Sequence, residues 1–289
     1  ADPARSITAL GNASSRNSVD PLLVIATHHK VGTILMNDLV VEAFKRYSFW
    51  KRKVKLNPGV ACGARIWRFE GSVAGTNASE YFIQFRIFNG SSLQEVFDYG
   101  QERPVRLLHI VRDPVDIVIS GYLYHRRSMD NWGYKFKNTT MSINGRHRIN
   151  YSQSEYTAEL QRRGVVDGLR LELEMERRET LQDMSDTCLH STPSPFVQIL
   201  TLSLDAFNVN FNRTVRRMYD FLFKPTERQM DVLIHAAQHH NANLGHVSDK
   251  RHISSREETK RIHELIRTSS LFHDFEEQRK LFLSHCPSE

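Results

Sequence analysis

Cysteine is scarce in this chain: Cys62, Cys188 and Cys286 are the only three among 289 residues. Three thiols allow at most one internal disulfide with one left over, and they are too scattered for a zinc site. The sequence leaves the pairing open. No apolar run approaches the ~20 residues of a membrane span, and no signal peptide is visible, so membrane attachment is expected only through a segment absent from this chain. No basic run is interleaved with aromatic residues, which argues against a nucleic-acid partner. No side-chain constellation suggests a metal, and none is expected. The formal net charge of +6 nevertheless favours anionic partners.

What is present reads as one α/β domain. Hydrophobic content of 40% and aromatic content of 10% are those of a soluble globular protein. Residues 1–20, rich in Ser, Asn and Ala, are expected to be a flexible lead-in, and 21–289 a single domain. Leu22 to Ala26 is an apolar run of strand length. It breaks into Thr27, His28, His29 and Lys30, and Gly32 permits a tight turn. From Thr33, apolar residues at Ile34, Leu35, Leu39, Val40, Ala43 and Phe44 mark one face of a helix. A lysine and a glycine where a strand feeds a helix build an anion site, because helix-start amides, the positive dipole end and the ammonium converge there. The full Walker pattern Gly-x-x-x-x-Gly-Lys-Ser/Thr is absent.

A second junction repeats the design. Val105 to Val111 is a strand candidate, followed by Arg112-Asp113-Pro114 and a helix carrying Ser120 and Tyr122. With the stretch Tyr81 to Phe88, strands alternate with helices at a spacing that predicts a parallel sheet. Ligands of such sheets lie beyond the carboxyl ends of the strands, where Lys30 and Arg112 both fall.

The two junctions together resemble a known family. Lys30-x-Gly32-Thr33 is similar to the 5′-phosphosulfate loop of sulfotransferases, and Arg112-x-Pro114 with Ser120-x-Tyr122 to their 3′-phosphate motif. The resemblance implies a three-layer α/β/α fold with a P-loop-like phosphosulfate-binding loop. It implies transfer of a sulfuryl group from 3′-phosphoadenosine-5′-phosphosulfate (PAPS) to an acceptor hydroxyl or amine. Lys30, Val31, Gly32, Thr33 and Ile34 would hold the 5′ end, Arg112 and Ser120 the 3′-phosphate. Lys250 and Arg251 match the family's C-terminal basic loop, although its Arg-Lys-Gly form is missing. Lys30 would stabilise the leaving phosphate. The general base stays open among His29, Glu70 and His28, ranked in that order, with His125 also on the nucleotide side.

Elsewhere, Arg65 to Phe69 reads as a short strand and Ser92 with Glu95 as a capping box opening a helix. Residues 125–152 read as a polar loop. Glu155 to about Met184 reads as a helix broken near Gly164 to Gly168, its second half, Leu169 to Met184, a candidate lid over the acceptor site or a plain solvated scaffold helix. Val197 to Leu202 reads as a buried strand and Asn208 to Phe223 as a helix, with Asp220-Phe221-Leu222 a core feature. A further helix begins at Pro225 and Thr226. Asn-x-Ser/Thr occurs at Asn12, Asn77, Asn89, Asn138, Asn150 and Asn212, an excess that suggests a glycoprotein of the Golgi lumen or a secreted one. A carbohydrate acceptor follows from that reading. Two alternatives stand beside it: a P-loop kinase or NTPase, and a non-catalytic module binding acidic glycans on the same fold.

Overall fold

The computed structural model describes residues 21–46, 64–73, 76–85, 90–127, 140–143, 147–150, 153–189, 195–241 and 255–286. Its centre is strand β1 (Leu22–Ala26), every residue of which is buried. A strand hidden on both faces needs apolar side chains throughout, which explains the unbroken Leu-Leu-Val-Ile-Ala run. β1 pairs in parallel with β3 (Thr76–Phe85) on one side and β4 (Val105–Val111) on the other. β4 pairs in parallel with β7 (Val197–Ser203), while β2 (Ala64–Val73) runs antiparallel to β3 at the edge. The sheet order is β2-β3-β1-β4-β7.

Alternate residues of the central strands feed two cores. Leu22, Val24, Ala26, Val105, Leu107 and Val197 pack with Leu93 and Val96 of α2 (Gly90–Glu102). Leu23, Ile25, Leu108 and Ile110 face a larger core built with α1 (Thr33–Arg46), α3 (Pro114–Arg127), α5 (Val165–Glu176) and α8 (Phe211–Phe223). Helices on both faces of a mainly parallel sheet make the expected three-layer α/β/α architecture.

Several local expectations change. The strand expected from Tyr81 begins at Thr76, with 86–88 outside the described residues, and the short strand at 65–69 is the full ten-residue β2. α2 begins at Gly90, ahead of the capping box expected at Ser92. Within the stretch read as a loop, α3 continues to Arg127, and β5 (Thr140–Ile143) pairs with β6 (His147–Asn150) as a hairpin. The long helix breaks at Gly164, as its glycine predicts. α4 (Gln153–Arg162) precedes the break and α5 follows it, then a π-helical turn at Arg177–Leu181 leads into α6 (Gln182–Leu189). The 208–223 helix is two: α7 (Leu204–Val209), then α8, whose Asn210 side chain caps the Arg213 amide. α9 (Glu227–Ala237) opens with a Thr226–Gln229 capping box, and α10 (Arg256–Thr268) and α11 (Phe272–His285) close the described chain.

Candidate active site

β1 and β4 are neighbours in register, Ala26 opposite His109, so the turns that follow them open side by side at the carboxyl edge. The first turn bends twice through left-handed backbone, at Lys30 (φ 60°) and Gly32 (φ 75°). Successive turns of this kind aim amides into a concavity. At Gly32 a side chain would also collide with Leu204, whose Cδ1 lies 2.7 Å from where a Cβ would stand. The Val31 amide donates to the His28 carbonyl at 3.2 Å and its side chain is buried, so Val31 closes the loop from inside rather than offering its amide to a ligand. The Thr27 and Thr33 hydroxyls sit 3.0 Å apart, bracing the loop's two ends. Ile34 is 39% exposed at the start of α1.

The second turn reaches back to the first. Arg112 donates from Nη1 to the Lys30 carbonyl at 2.9 Å. Its buried Nε has no hydrogen-bond partner among the described residues. Asp113 caps α3 by accepting from the Val115 amide at 2.9 Å and pairs with Arg279 at 2.8 Å. Asp116 pairs with His263 of α10 at 2.8 Å. Burial disfavours the Asp116 carboxylate, but the His263 hydrogen bond and the Arg112 charge outweigh it and hold the group below its ordinary range. The same hydrogen bond pushes His263 up. Asp205 is pushed up, by burial first and then by Asp116. Ser120 is almost fully buried in α3, and no described contact joins it to Arg112.

Beside Lys30 lies a buried cluster of histidine, glutamate and tyrosine side chains. The Lys30 ammonium stands over the Tyr124 ring, 3.3 Å from its centroid. His29 Nδ1 is 2.9 Å from Glu176 Oε1, and its ring stacks on His125 at 5.0 Å and 2° between planes. His125 Nδ1 is 2.8 Å from Glu172 Oε1, and the Tyr156 hydroxyl donates to Glu172 Oε2 at 2.8 Å. Both carboxylates are fully buried. Room for them comes from Gly121, where a Cβ would stand 2.3 Å from Glu172 Oε1 and 3.2 Å from Glu176 Oε1. Donor atoms of His125, Glu172 and Glu176 lie within 4.8 Å of one another, a spacing a cation could also bridge. The same groups are hydrogen-bonded to His29 and Tyr156 and to each other.

The structure therefore treats the candidate bases differently. His29 lies at the cluster's partly exposed edge. His28 is buried, its Nε2 2.9 Å from His109 Nε2. Burial, then the neighbouring His28, lowers His109 well below the usual imidazole value. Glu70 stands on the edge strand β2, opposite Ser79 in the backbone register, and its side chain is outside the described residues. Lys250 and Arg251 also lie outside them.

Glu172 and Glu176 are the functional candidates that sequence reasoning missed. A signal was there: Leu169, Glu172, Leu173 and Glu176 share the i, i+3, i+4, i+7 face, so the two glutamates sit where a helix buries its stripe. The first part of the 169–184 stretch is accordingly packed rather than solvated. Leu169, Leu171, Leu173 and Met175 are buried in the larger core.

No protein-family model matches the chain. No curated protein matches it either. Among solved structures it is similar to mouse sulfotransferase SULT7A1 complexed with PAP, at 12% identity over 89% of this chain and 88% of that one. The TM-score is 0.41. What that enzyme binds is a property of that enzyme.

Proposed function

We propose that the chain is a sulfotransferase, moving a sulfuryl group from PAPS to an acceptor hydroxyl or amine, most simply on a carbohydrate. One observation carries the reading. The Lys30 loop and Arg112 stand at the carboxyl ends of adjacent parallel strands, joined by the Arg112–Lys30 hydrogen bond. A nucleotide with a phosphate group at each end of its nucleoside suits that pair of cationic turns. The Arg112 Nε, buried without a described partner, suits an anionic acceptor.

In the transfer, the bond from sulfur to the phosphate oxygen breaks as a bond from sulfur to the acceptor oxygen forms. The acceptor proton goes to a base, and 3′-phosphoadenosine 5′-phosphate leaves. Negative charge grows on the departing phosphate, where the Lys30 ammonium and the amides of Gly32, Thr33 and Ile34 oppose it. Arg112, with Ser120, Lys250 and Arg251, belongs to the 3′-phosphate end. His29 is the base this reading takes, because it adjoins Lys30 and is held by a carboxylate; Glu70 and His28 remain its competitors. No metal enters the scheme.

The sequons and the Cys188–Cys286 disulfide support a secretory setting, Golgi lumen or outside the cell. Binding measurements test the nucleotide assignment. 3′-Phosphoadenosine 5′-phosphate should bind without Mg²⁺ and exceed AMP by about a hundredfold or more, because AMP leaves the Arg112 cation without its phosphate. Equal affinities would sink the assignment. ATP binding that requires Mg²⁺ would point to a kinase or NTPase, and glycan binding without transfer of labelled sulfate to a non-catalytic module.

A further inference from the structure

The cluster under Lys30 contains more than a base needs. Glu176 and Glu172 are both fully buried, a costly arrangement for two carboxylates unless each is hydrogen-bonded. Each meets the Nδ1 of one histidine, and the two imidazoles lie face to face. Glu172 is fixed further by Tyr156, and the Thr157 hydroxyl donates to the His125 carbonyl at 3.0 Å. These contacts come from four places in the chain: the β1–α1 loop, α3, α4 and α5. The His29–Glu176 pair stacks on the His125–Glu172 pair, which Tyr156 holds in place.

We infer that Glu176 is the positioning residue for His29, locking its ring with Nδ1 as the hydrogen-bonded nitrogen so that proton transfer runs through Nε2, and that the Tyr156–Glu172–His125 layer supports this ring from behind. The inference rests on the sulfotransferase reading for the proton's source, the acceptor hydroxyl, but not for the geometry. A carboxylate bonded to Nδ1–H selects the tautomer whose Nε2 is basic and stabilises the imidazolium that forms when it accepts a proton. The proton passes from the acceptor oxygen to Nε2 while that oxygen takes the sulfuryl group. Glu176 keeps its charge throughout. Gly121 is part of the device, since any side chain there would strike both carboxylates.

Two measurements test it. Nitrogen NMR of the wild-type protein should show His29 protonated at Nδ1 near neutral pH, and Glu176→Gln should broaden or reverse that preference. This readout needs no turnover, so it survives a failure of the sulfotransferase reading. His29 protonated at Nε2 in the wild type would overturn the inference. In labelled-donor assays, Glu176→Gln should lower kcat by about 10²–10⁴-fold, with binding of 3′-phosphoadenosine 5′-phosphate unchanged as the control for folding. Glu176→Asp should restore part of the loss. Glu172→Gln should cost less, because it reaches His29 only through the stacked ring. With the carboxylate gone the imidazolium loses its partner, so kcat should reach its alkaline plateau at lower pH in Glu176→Gln. Among the described residues, the titratable groups facing His29 include Tyr124 and His125 from α3 and Glu176 from α5, with the Lys30 charge over the Tyr124 ring and Glu172 and Tyr156 behind His125. Wild-type kcat and pH profile in Glu176→Gln would overturn the inference, as would activity in the wild type that chelator abolishes and Zn²⁺ restores.

Discussion

Lys30 meets two demands that rarely coincide: a charged side chain and a left-handed backbone. Its φ of 60° is strained for a residue with a Cβ, and the strain is held by the Val31–His28 and Arg112–Lys30 hydrogen bonds on either side. Strain kept at such a place fits a loop shaped around a ligand. Replacing Lys30 by alanine should leave folding intact and lower kcat by about 10²–10³-fold, because the charge matters most as the phosphate departs. Steady-state kinetics on the purified variant decide this, and near-wild-type turnover would remove Lys30 from the leaving-group role. Gly32 is a sterner case. Its φ of 75° and the 2.7 Å approach of Leu204 both oppose a side chain. Gly32→Ala should cost roughly 1–3 kcal/mol of stability, read as a lower denaturation midpoint. A variant as stable as the wild type would mean that Leu204 gives way and the loop tolerates the turn.

At the scale of elements, the strand–turn–helix units were legible because each has a strong local signature. Leu22 to Ala26 and Val105 to Val111 are apolar runs of strand length, and Gly32 and Pro114 fix where the helices start. The sheet's parallel pairing followed from their alternation. The α5 glutamates are harder to read: their place on the apolar stripe hints at burial, but it takes the packing of α5 on α3 to show that Gly121 makes room for them. Tyr156, His125 and His29 come from distant positions, so no spacing rule could have joined them. Helix α10 offers a test at this scale, since His263 ties it to Asp116 at the start of α3. Asp116 lies below its ordinary range, so its contribution is present above about pH 4 and fades as acid titrates it. His263 lies above its ordinary value, so its contribution is full below about pH 6.5 and is lost as pH rises through the raised pKa. The pair is therefore strongest between those limits. Chemical denaturation of wild type and His263→Ala should show the largest difference near pH 5–6 and a smaller one at pH 9. The same difference at both pH values would show that the imidazolium is not what α3 holds.

Across the whole molecule, one covalent link joins parts that the sheet does not. Cys188 at the end of α6 and Cys286 just beyond α11 form a disulfide, with Cα atoms 5.3 Å apart and a sequence separation of 98. The pairing could not be read from three cysteines in sequence, because it depends on α11 packing against α6. Closing so long a loop restricts the unfolded chain, and the expected contribution is about 2–5 kcal/mol. Reduction should therefore lower the melting temperature, and Cys188→Ser with Cys286→Ser should do so without reductant. The link also bears on the secretory setting proposed above, since reducing compartments keep such thiols open. Protein secreted from eukaryotic cells should show one free thiol per denatured chain, that of Cys62, and extra mass from glycans at several of the six sequons. His109 sits beside the bond, its Nδ1 3.9 Å from the Cys188 sulfur, and bonds in turn to His28. Loss of the disulfide should thus be felt at the Lys30 loop, as weaker binding of 3′-phosphoadenosine 5′-phosphate by the double serine variant at temperatures where it is still folded. Three free thiols and an unmodified mass in the secreted protein would separate the fold from the compartment proposed for it. Unchanged nucleotide affinity in the folded variant would show that His109 and His28 do not carry the effect.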